Sequence, residues 1–278
     1  MKEFKDKVAV ITGAASGIGR GLANRCAQEG MKVVLADVEE AALSETEKKL
    51  KSKGTSVLSV LTDVSRVHDI EVLAEKTLDT FGAVDLLFNN AGVVVSPYLW
   101  EHTLADWKWI IDVNLWGVIH GIRIFVPIML NQNTECYIVN TASLAGLVSG
   151  GSIYGVTKHG VVSLSETLYA QLAITKAKVK VSVLCPGFVK TQIIDCERNR
   201  PPELYNDPDE IIPHHEFEPP KKMVYDMFEQ GLTPEKVADI VFEGIKDEKF
   251  YILTDNHYIF KKWVKARMNG ILNAFQQI

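Results

Sequence analysis

Tyr154 and Lys158 stand four residues apart in Tyr154-Gly155-Val156-Thr157-Lys158, which puts them on one face if the segment is helical. A phenol with an ordinary pKa of about 10 transfers protons poorly at neutral pH. A neighbouring ammonium favours the phenolate and lowers that value, so the pair has the makings of a general acid–base for an alcohol/carbonyl couple. The spacing alone is unspecific, because Tyr258 and Lys262 repeat it near the C-terminus. That copy follows no strand ending in serine and reads as a solvated helix. Upstream of Tyr154, Ser143 lies eleven residues away and Thr141 thirteen, and each offers a hydroxyl for a substrate oxygen.

A second group of residues suits phosphate chemistry. Residues 12–19, Thr-Gly-Ala-Ala-Ser-Gly-Ile-Gly, follow an apolar run and open directly into a helical pattern. Glycines there permit a tight turn and let backbone N–H groups approach a pyrophosphate at a positive helix N-terminus. The spacing is G-x-x-x-G-x-G rather than G-x-G-x-x-G, and alone it fits an ordinary strand-to-helix turn as well. Context adds to it: the next apolar run ends in Asp37, 18 residues beyond Gly19. A carboxylate at about that distance can accept hydrogen bonds from an adenosine ribose. Val38, Glu39 and Glu40 follow, with no Arg or Lys for a 2′-phosphate, so NAD is favoured over NADP.

The elements that must carry these residues are readable from the rhythm of the chain. Apolar runs at 8–11, 32–36, 56–61, 84–88, 136–140, 180–184 and 250–253 alternate with helical stretches at 17–29, 39–51, 67–81, 105–131, 154–175 and 233–246. Continuous buried strands alternating with helices predict an α/β fold, a doubly wound parallel sheet with helices on both faces. Ligands of such sheets sit at the strands' C-terminal ends, where Asn89-Asn90-Ala91-Gly92 also falls. The rhythm stops between 192 and 232, which hold six of the ten prolines and ten acidic against four basic residues, net −6. One domain over 1–278 is expected, with 192–232 as a substrate lid and 254–278 as a C-terminal extension.

Composition removes other classes. At 278 residues, 47% hydrophobic and 23% charged, the chain is neither a disulfide scaffold nor a disordered segment. Its net charge of −5 argues against nucleic acid, whose binding is mostly phosphate neutralisation. Cys26, Cys136, Cys185 and Cys196 make no C-x-x-C pair and none neighbours a histidine, and His214-His215-Glu216 lacks a third ligand at helical spacing. No metal is expected. The longest apolar tract, 115–130, contains His120, Arg123 and Pro127, so no membrane span is expected. The first residues leave no room for a signal peptide, which makes the reducing cytoplasm the expected compartment.

Taken in order, residues 12–19, Asn89-Asn90-Ala91-Gly92, Asn114, Ser143, Tyr154, Lys158 and Pro186-Gly187 resemble the short-chain dehydrogenase/reductase family. The similarity covers residues 5–191, and more loosely runs to 253. Each motif is weak alone and their joint occurrence is specific. The resemblance implies a Rossmann-like domain with about seven parallel strands and a catalytic set of Asn114, Ser143, Tyr154 and Lys158. Tyr154 would exchange the proton with the substrate oxygen and Ser143 would hydrogen-bond that oxygen. Lys158 would hold the nicotinamide ribose and lower the Tyr154 pKa, with Asn114 holding a water relay behind it. The implied cofactor contacts are Gly13, Ser16, Gly17, Ile18, Gly19, Asp37, Asp63, Val64, Asn90, Ala91, Gly92, Pro186, Gly187, Val189 and Thr191, besides Tyr154 and Lys158. The family commonly spaces serine and tyrosine by about thirteen residues, which keeps Thr141 as a rival. Ser143 is preferred because residues 140–146 resemble the family's Asn-x-Ser-Ser-x-x-Gly at its second serine.

The resemblance implies an NAD(H)-dependent alcohol dehydrogenase or ketone reductase. The alternatives are an NADP(H)-linked carbonyl reductase and a non-catalytic dinucleotide sensor. Apolar residues in the lid, among them Ile193, Leu204, Tyr205, Met223, Tyr225, Met227 and Phe228, suit a hydrophobic steroid-like or long-chain substrate, or else simple packing on the sheet. Trp100, Trp107, Trp109 and Trp116 cluster where interfaces and pocket walls are aromatic-rich. Similar proteins pair this helix and the Tyr154 helix across a symmetry axis, so a homodimer or homotetramer is expected.

Overall fold

A computed structural model describes residues 1–95, 98–148, 152–207, 221–254 and 258–275. Seven strands form one sheet: β1 Val8–Thr12, β2 Lys32–Asp37, β3 Val57–Leu61, β4 Leu86–Asn89, β5 Cys136–Thr141, β6 Val179–Cys185 and β7 Tyr251–Leu253. Their order is β3-β2-β1-β4-β5-β6-β7, every pairing is parallel, and the architecture is Rossmann-like. The central strands are buried along their length because both faces are covered. In β1, Ala9 and Ile11 pack to one side and Val8 and Val10 to the other.

On the first side lie α1 (Gly17–Gln28) and α8 (Pro234–Lys246). Leu22, Cys26, Val241 and Phe242 meet Ile11, Leu35, Phe88 and Val139 there. Full burial of a side chain such as Phe242 stabilises the fold by about 2–3 kcal/mol. Thr233 caps α8, its hydroxyl accepting from the Lys236 N–H at 3.2 Å, and Pro234 takes the first helical position. On the second side Ile70 and Leu73 of α3 (Val67–Phe81), Phe125 and Met129 of α5 (Gly117–Gln132) and Leu168 of α6 (Ile153–Ile174) cover Val10, Leu87 and Ile138. The remaining helices are α2 Glu40–Lys51, α4 Leu104–Ile111, α7 Lys221–Glu229 and α9 Tyr258–Phe275.

β1 pairs with β2 on one edge and β4 on the other, so consecutive connections leave in opposite directions above these strands. The crevice at that reversal is where open parallel sheets hold ligands. Glycine loop, Asp37 and Asn90 all lie there because each follows or ends a strand's C-terminal end.

Three local features depart from the sequence reading. The single helix expected over 105–131 is α4 and α5 joined by a π-helical turn, Asp112–Trp116, which carries the buried Asn114. The stretch Leu104–Gln132 is long and apolar enough to cross a membrane by length and composition alone, yet it is a core helix packed on the sheet. The segment 192–232 is not all loop. It contains 3₁₀ turns at Ile193–Asn199 and Pro202–Leu204 and helix α7. His214, His215 and Glu216 lie outside the described residues.

Candidate active site

The glycine loop is shaped by contacts that exclude side chains. Gly13 has φ +67°, and a Cβ there would sit 2.9 Å from the Ala91 Cα. A Cβ on Gly19 would lie 1.9 Å from the Gly13 carbonyl oxygen, a distance no side chain tolerates. Ser16 precedes α1 in extended conformation and makes no capping hydrogen bond, and the first turn holds no acidic residue. The amides of Gly17, Ile18 and Gly19 thus start the helix without a side-chain cap, an arrangement suited to an anion. Thr191 closes the other side, its Cγ2 3.0 Å from where a Gly17 Cβ would be.

Asp37 ends β2 and is buried. Its Oδ2 accepts from the Ala15 N–H at 2.9 Å and its Oδ1 from the Glu39 N–H at 3.0 Å. The carboxylate lines the cleft with acceptor capacity to spare. Burial pushes this carboxyl up from its ordinary value, against the backbone donors of Ala15, Glu39 and Val38. Asp63 and Val64 line the same cleft. The Asp63 carboxylate also accepts from the Ser65 N–H at 3.0 Å and the Ser65 hydroxyl at 2.7 Å, which knits its own turn. Asn90 ties β4 to β1: its N–H donates to the Thr12 hydroxyl at 2.9 Å and its Nδ2 to the Thr12 carbonyl at 3.0 Å. Ala91, Gly92, Pro186, Gly187 and Val189 continue the cleft walls.

At the other end of the cleft, Tyr154 sits in the first turn of α6, which Ser152 caps by accepting from the Tyr154 N–H at 3.3 Å. One turn on, buried Lys158 donates from Nζ to the Thr141 carbonyl at 3.0 Å, and Nζ lies 5.5 Å from the Tyr154 ring centre. The Ser143 side chain lies within hydrogen-bonding reach of the Tyr154 phenol, and its Oγ also donates to the Pro186 carbonyl at 3.5 Å. The Thr141 hydroxyl points elsewhere, donating to Asn90 Oδ1 at 3.3 Å. Between the two hydroxyls, the geometry therefore puts Ser143 beside the tyrosine. Asn114 is fully buried, its Oδ1 accepting from the Val93 N–H at 2.8 Å and its Nδ2 donating to the Val93 carbonyl at 2.9 Å and Thr157 Oγ1 at 3.2 Å. Its side chain thus fastens the strand end to α6 between Tyr154 and Lys158. A Cβ on Gly92 would press on Asn114 Oδ1 and Lys158 Nζ, each at 3.3 Å.

The electrostatics differ from the sequence expectation. Burial pushes the Tyr154 phenol up to about 12, with only the Ser143 hydrogen bond pulling it down. Burial likewise brings the Lys158 ammonium down to about 8. Both groups resist their charged forms because the same apolar surroundings desolvate both.

Several residues about the cleft were not found from sequence. Within the expected lid, residues 192–204 run along it as a strap, where Gln192, Cys196, Arg198, Asn199 and Pro201 join the expected Ile193 and Leu204 on its wall. Cys196 pins the middle, its Sγ donating to the Val94 carbonyl at 3.1 Å. Arg200 pins the end: Nη2 meets Asp106 Oδ1 at 2.7 Å while the guanidinium stacks 4.4 Å from the Trp109 ring centre. Thr103-x-x-Asp106 is a capping box for α4, a signal that sequence does contain. Of the four tryptophans, Trp109 is buried and lines the cleft, whereas Trp100 and Trp116 are exposed. Of the apolar lid residues, Ile193, Leu204 and Phe228 face the cleft, but Tyr205, Met223, Tyr225 and Met227 are exposed.

A family model described as short chain dehydrogenase matches residues 7–201. The chain is 36% identical over 263 residues to a CLA biosynthesis dehydrogenase/reductase of Lactiplantibacillus plantarum, covering 93% of this chain and 91% of that protein. A 1-deoxy-11-beta-hydroxypentalenate dehydrogenase of Streptomyces exfoliatus is 32% identical over 257 residues, covering 91% and 84%. Among solved structures, a short chain dehydrogenase/reductase from Burkholderia phymatum in complex with NAD is 46% identical, with a TM-score of 0.93 and coverage of 99% of this chain and 97% of that one. The chain belongs to the short-chain dehydrogenase/reductase family. It is an oxidoreductase of the alcohol/ketone couple.

Proposed function

We propose that the chain is an NAD(H)-dependent dehydrogenase of hydrophobic secondary alcohols, or the corresponding ketone reductase. The observation that carries this is one cleft with Asp37 at one end and Ser143, Tyr154 and Lys158 together at the other. A dinucleotide is supported by the side-chain-free cradle at Gly13 and Gly19, the uncapped start of α1 and the buried Asp37. The NAD complex of the Burkholderia phymatum relative supports the same choice. When bound, the nicotinamide exchanges hydride with the substrate's carbinol carbon.

The chain's own part is proton handling and orientation. Tyr154 takes the hydroxyl proton in oxidation and returns it in reduction. Ser143 hydrogen-bonds the same substrate oxygen, and Lys158 holds the nicotinamide ribose and steadies the Tyr154 charge. Asn114 positions α6 through Val93 and Thr157. Trp109, Val148, Phe188, Leu204, Phe228 and Phe260 on the cleft wall support an apolar substrate. The Streptomyces relative's name, a hydroxypentalenate dehydrogenase, supports the alcohol side of the couple.

A coenzyme and substrate panel tests this. NADH is expected to beat NADPH in kcat/KM by at least about 100-fold, with Asp37→Ala losing most of that margin, on the scale of one charge-assisted hydrogen bond plus a repelled phosphate. Apolar ketones should exceed small polar ones. Equal use of both coenzymes, or a preference for small polar substrates, refutes the corresponding half. We also propose assembly with further copies, supported by Trp263, Ile271, Leu272 and Phe275 exposed on α9. A solution mass equal to one chain refutes it.

A further inference from the structure

Two cations line the cleft among the described residues, Lys158 at the Tyr154 end and Arg198 at the Asp37 end. Arg198 belongs to the strap, 159 positions from Glu39, yet grips its carboxylate with two nitrogens. Nη2 is 2.6 Å from Oε1 and Nε is 3.4 Å from Oε2. Asn199 adds a third donor, Nδ2 to Oε1 at 2.9 Å. The remaining guanidinium nitrogen turns back, Nη1 donating to the Gln192 carbonyl at 3.1 Å and the Asp195 carbonyl at 2.8 Å. Arg198 is therefore fixed in its own turn, and its planar fork meets the carboxylate side-on.

Glu39 is held equally firmly. Its N–H donates to Asp37 Oδ1, which connects the carboxylate proposed for the adenosine ribose to the contact with the strap. Burial alone would raise the Glu39 carboxyl, but the hydrogen bonds from Arg198 and Asn199 outweigh it and hold the group below the ordinary carboxylate range. Asp37, Val38 and Glu39 form one wall of the cleft and Arg198 and Asn199 the facing wall, so this contact bridges the cleft at its adenosine end. A dinucleotide lying from Asp37 to Lys158 would occupy the cleft that this contact bridges.

We propose that Glu39, Arg198 and Asn199 form a coenzyme clasp: the contact opens for the dinucleotide to leave, and while closed it keeps the cation nearest Asp37 paired, so that none is offered to a 2′-phosphate. Glu39 is then a second determinant of coenzyme choice, beside Asp37. The inference rests on the dinucleotide reading of the cleft given above.

Stopped-flow fluorescence of NADH release from the full chain, with equilibrium binding of NADH and NADPH, tests it on wild type, Glu39→Gln and Arg198→Ala. Both variants remove the ion pair, Glu39→Gln leaving only a neutral acceptor, and both are expected to release NADH about five- to ten-fold faster, the scale of a bidentate, half-shielded ion pair. Only Glu39→Gln leaves the cation unpaired, so only it is expected to tighten NADPH relative to NADH, by about ten-fold. NADH release unchanged in both variants, each with a wild-type circular dichroism spectrum, overturns the clasp. A wild type that binds neither dinucleotide overturns instead the reading beneath it, and is seen before any variant is made.

Discussion

Tyr154→Phe is expected to lower kcat/KM by about 10³-fold, and at the least by 10², the range that positioned proton transfer supplies. Its dissociation constant for NADH should stay within about two- to three-fold of wild type. The phenylalanine ring keeps the volume that packs in the first turn of α6, and only the hydroxyl facing Ser143 is lost. Losing that hydrogen bond costs about 1 kcal/mol or less, since the partner serine also accepts from the Ala145 N–H at 3.1 Å and is not orphaned. Loss of activity with retained NADH binding and an unfolding temperature near wild type isolates the proton. Turnover within ten-fold of wild type removes Tyr154 from that role.

Lys158→Met is expected to act in two opposite directions. Activity should fall by at least about 10²-fold, because the charge that steadies Tyr154 is gone. Stability should rise. The ammonium's ordinary pKa of 10.5 is brought down to about 8 in the folded chain by burial. Below about 8 both folded and unfolded chains carry the proton, and the folded one bears the full cost of burying it. Between there and 10.5 the unfolded chain holds more protons, so stability from this group rises with pH, and above 10.5 the cost has vanished. At pH 7 that cost is about 3 kcal/mol. Methionine removes it but leaves the Thr141 carbonyl without its donor, worth about 1 kcal/mol. The net gain of about 2 kcal/mol corresponds to an unfolding temperature several degrees higher at pH 7. At pH 10 most of the gain should be gone. Thermal unfolding at both pH values decides it: a variant no more stable than wild type at pH 7, or equally stabilised at both, contradicts the buried-charge account.

Much of the fold was legible because its determinants are local. The largely apolar runs of β1, β2, β4, β5 and β6 mark strands covered on both faces, and such strands pair in parallel around alternating helices. Asp37 was readable because it ends a strand. Spacing alone did not choose between Thr141 and Ser143, since both precede Tyr154 at plausible distances, and the preference for Ser143 rested on the resemblance of residues 140–146 to the family pattern. The structure separates them by where the chain leaves the sheet: Thr141 is the last residue of β5, fixed toward Asn90, whereas Ser143 lies beyond the edge. The π-helical turn was hidden because the bonds held by its Asn114 run to the backbone of Val93, 21 positions away. The direction of the Tyr154 shift was misjudged because proximity of charge is visible in a spacing and burial is not. The absence of a cation near Asp37 was also a statement about neighbours in sequence, and Arg198 reaches that end from far along the chain.

The strap imposes an order on assembly. Arg198 and Arg200 meet Glu39 and Asp106 across 159 and 94 positions. Contacts that distant carry a loop-closure cost repaid only after the intervening sheet has formed. During synthesis the glycine loop and Asp37 leave the ribosome well before residues 193–204, so a nascent chain holds a floor and one wall. Its enclosure is completed only when β6 has docked beside β5 and drawn the strap across. Folding thus precedes coenzyme capture, and a chain truncated before β6 would retain the glycine loop while lacking the means to hold what it cradles.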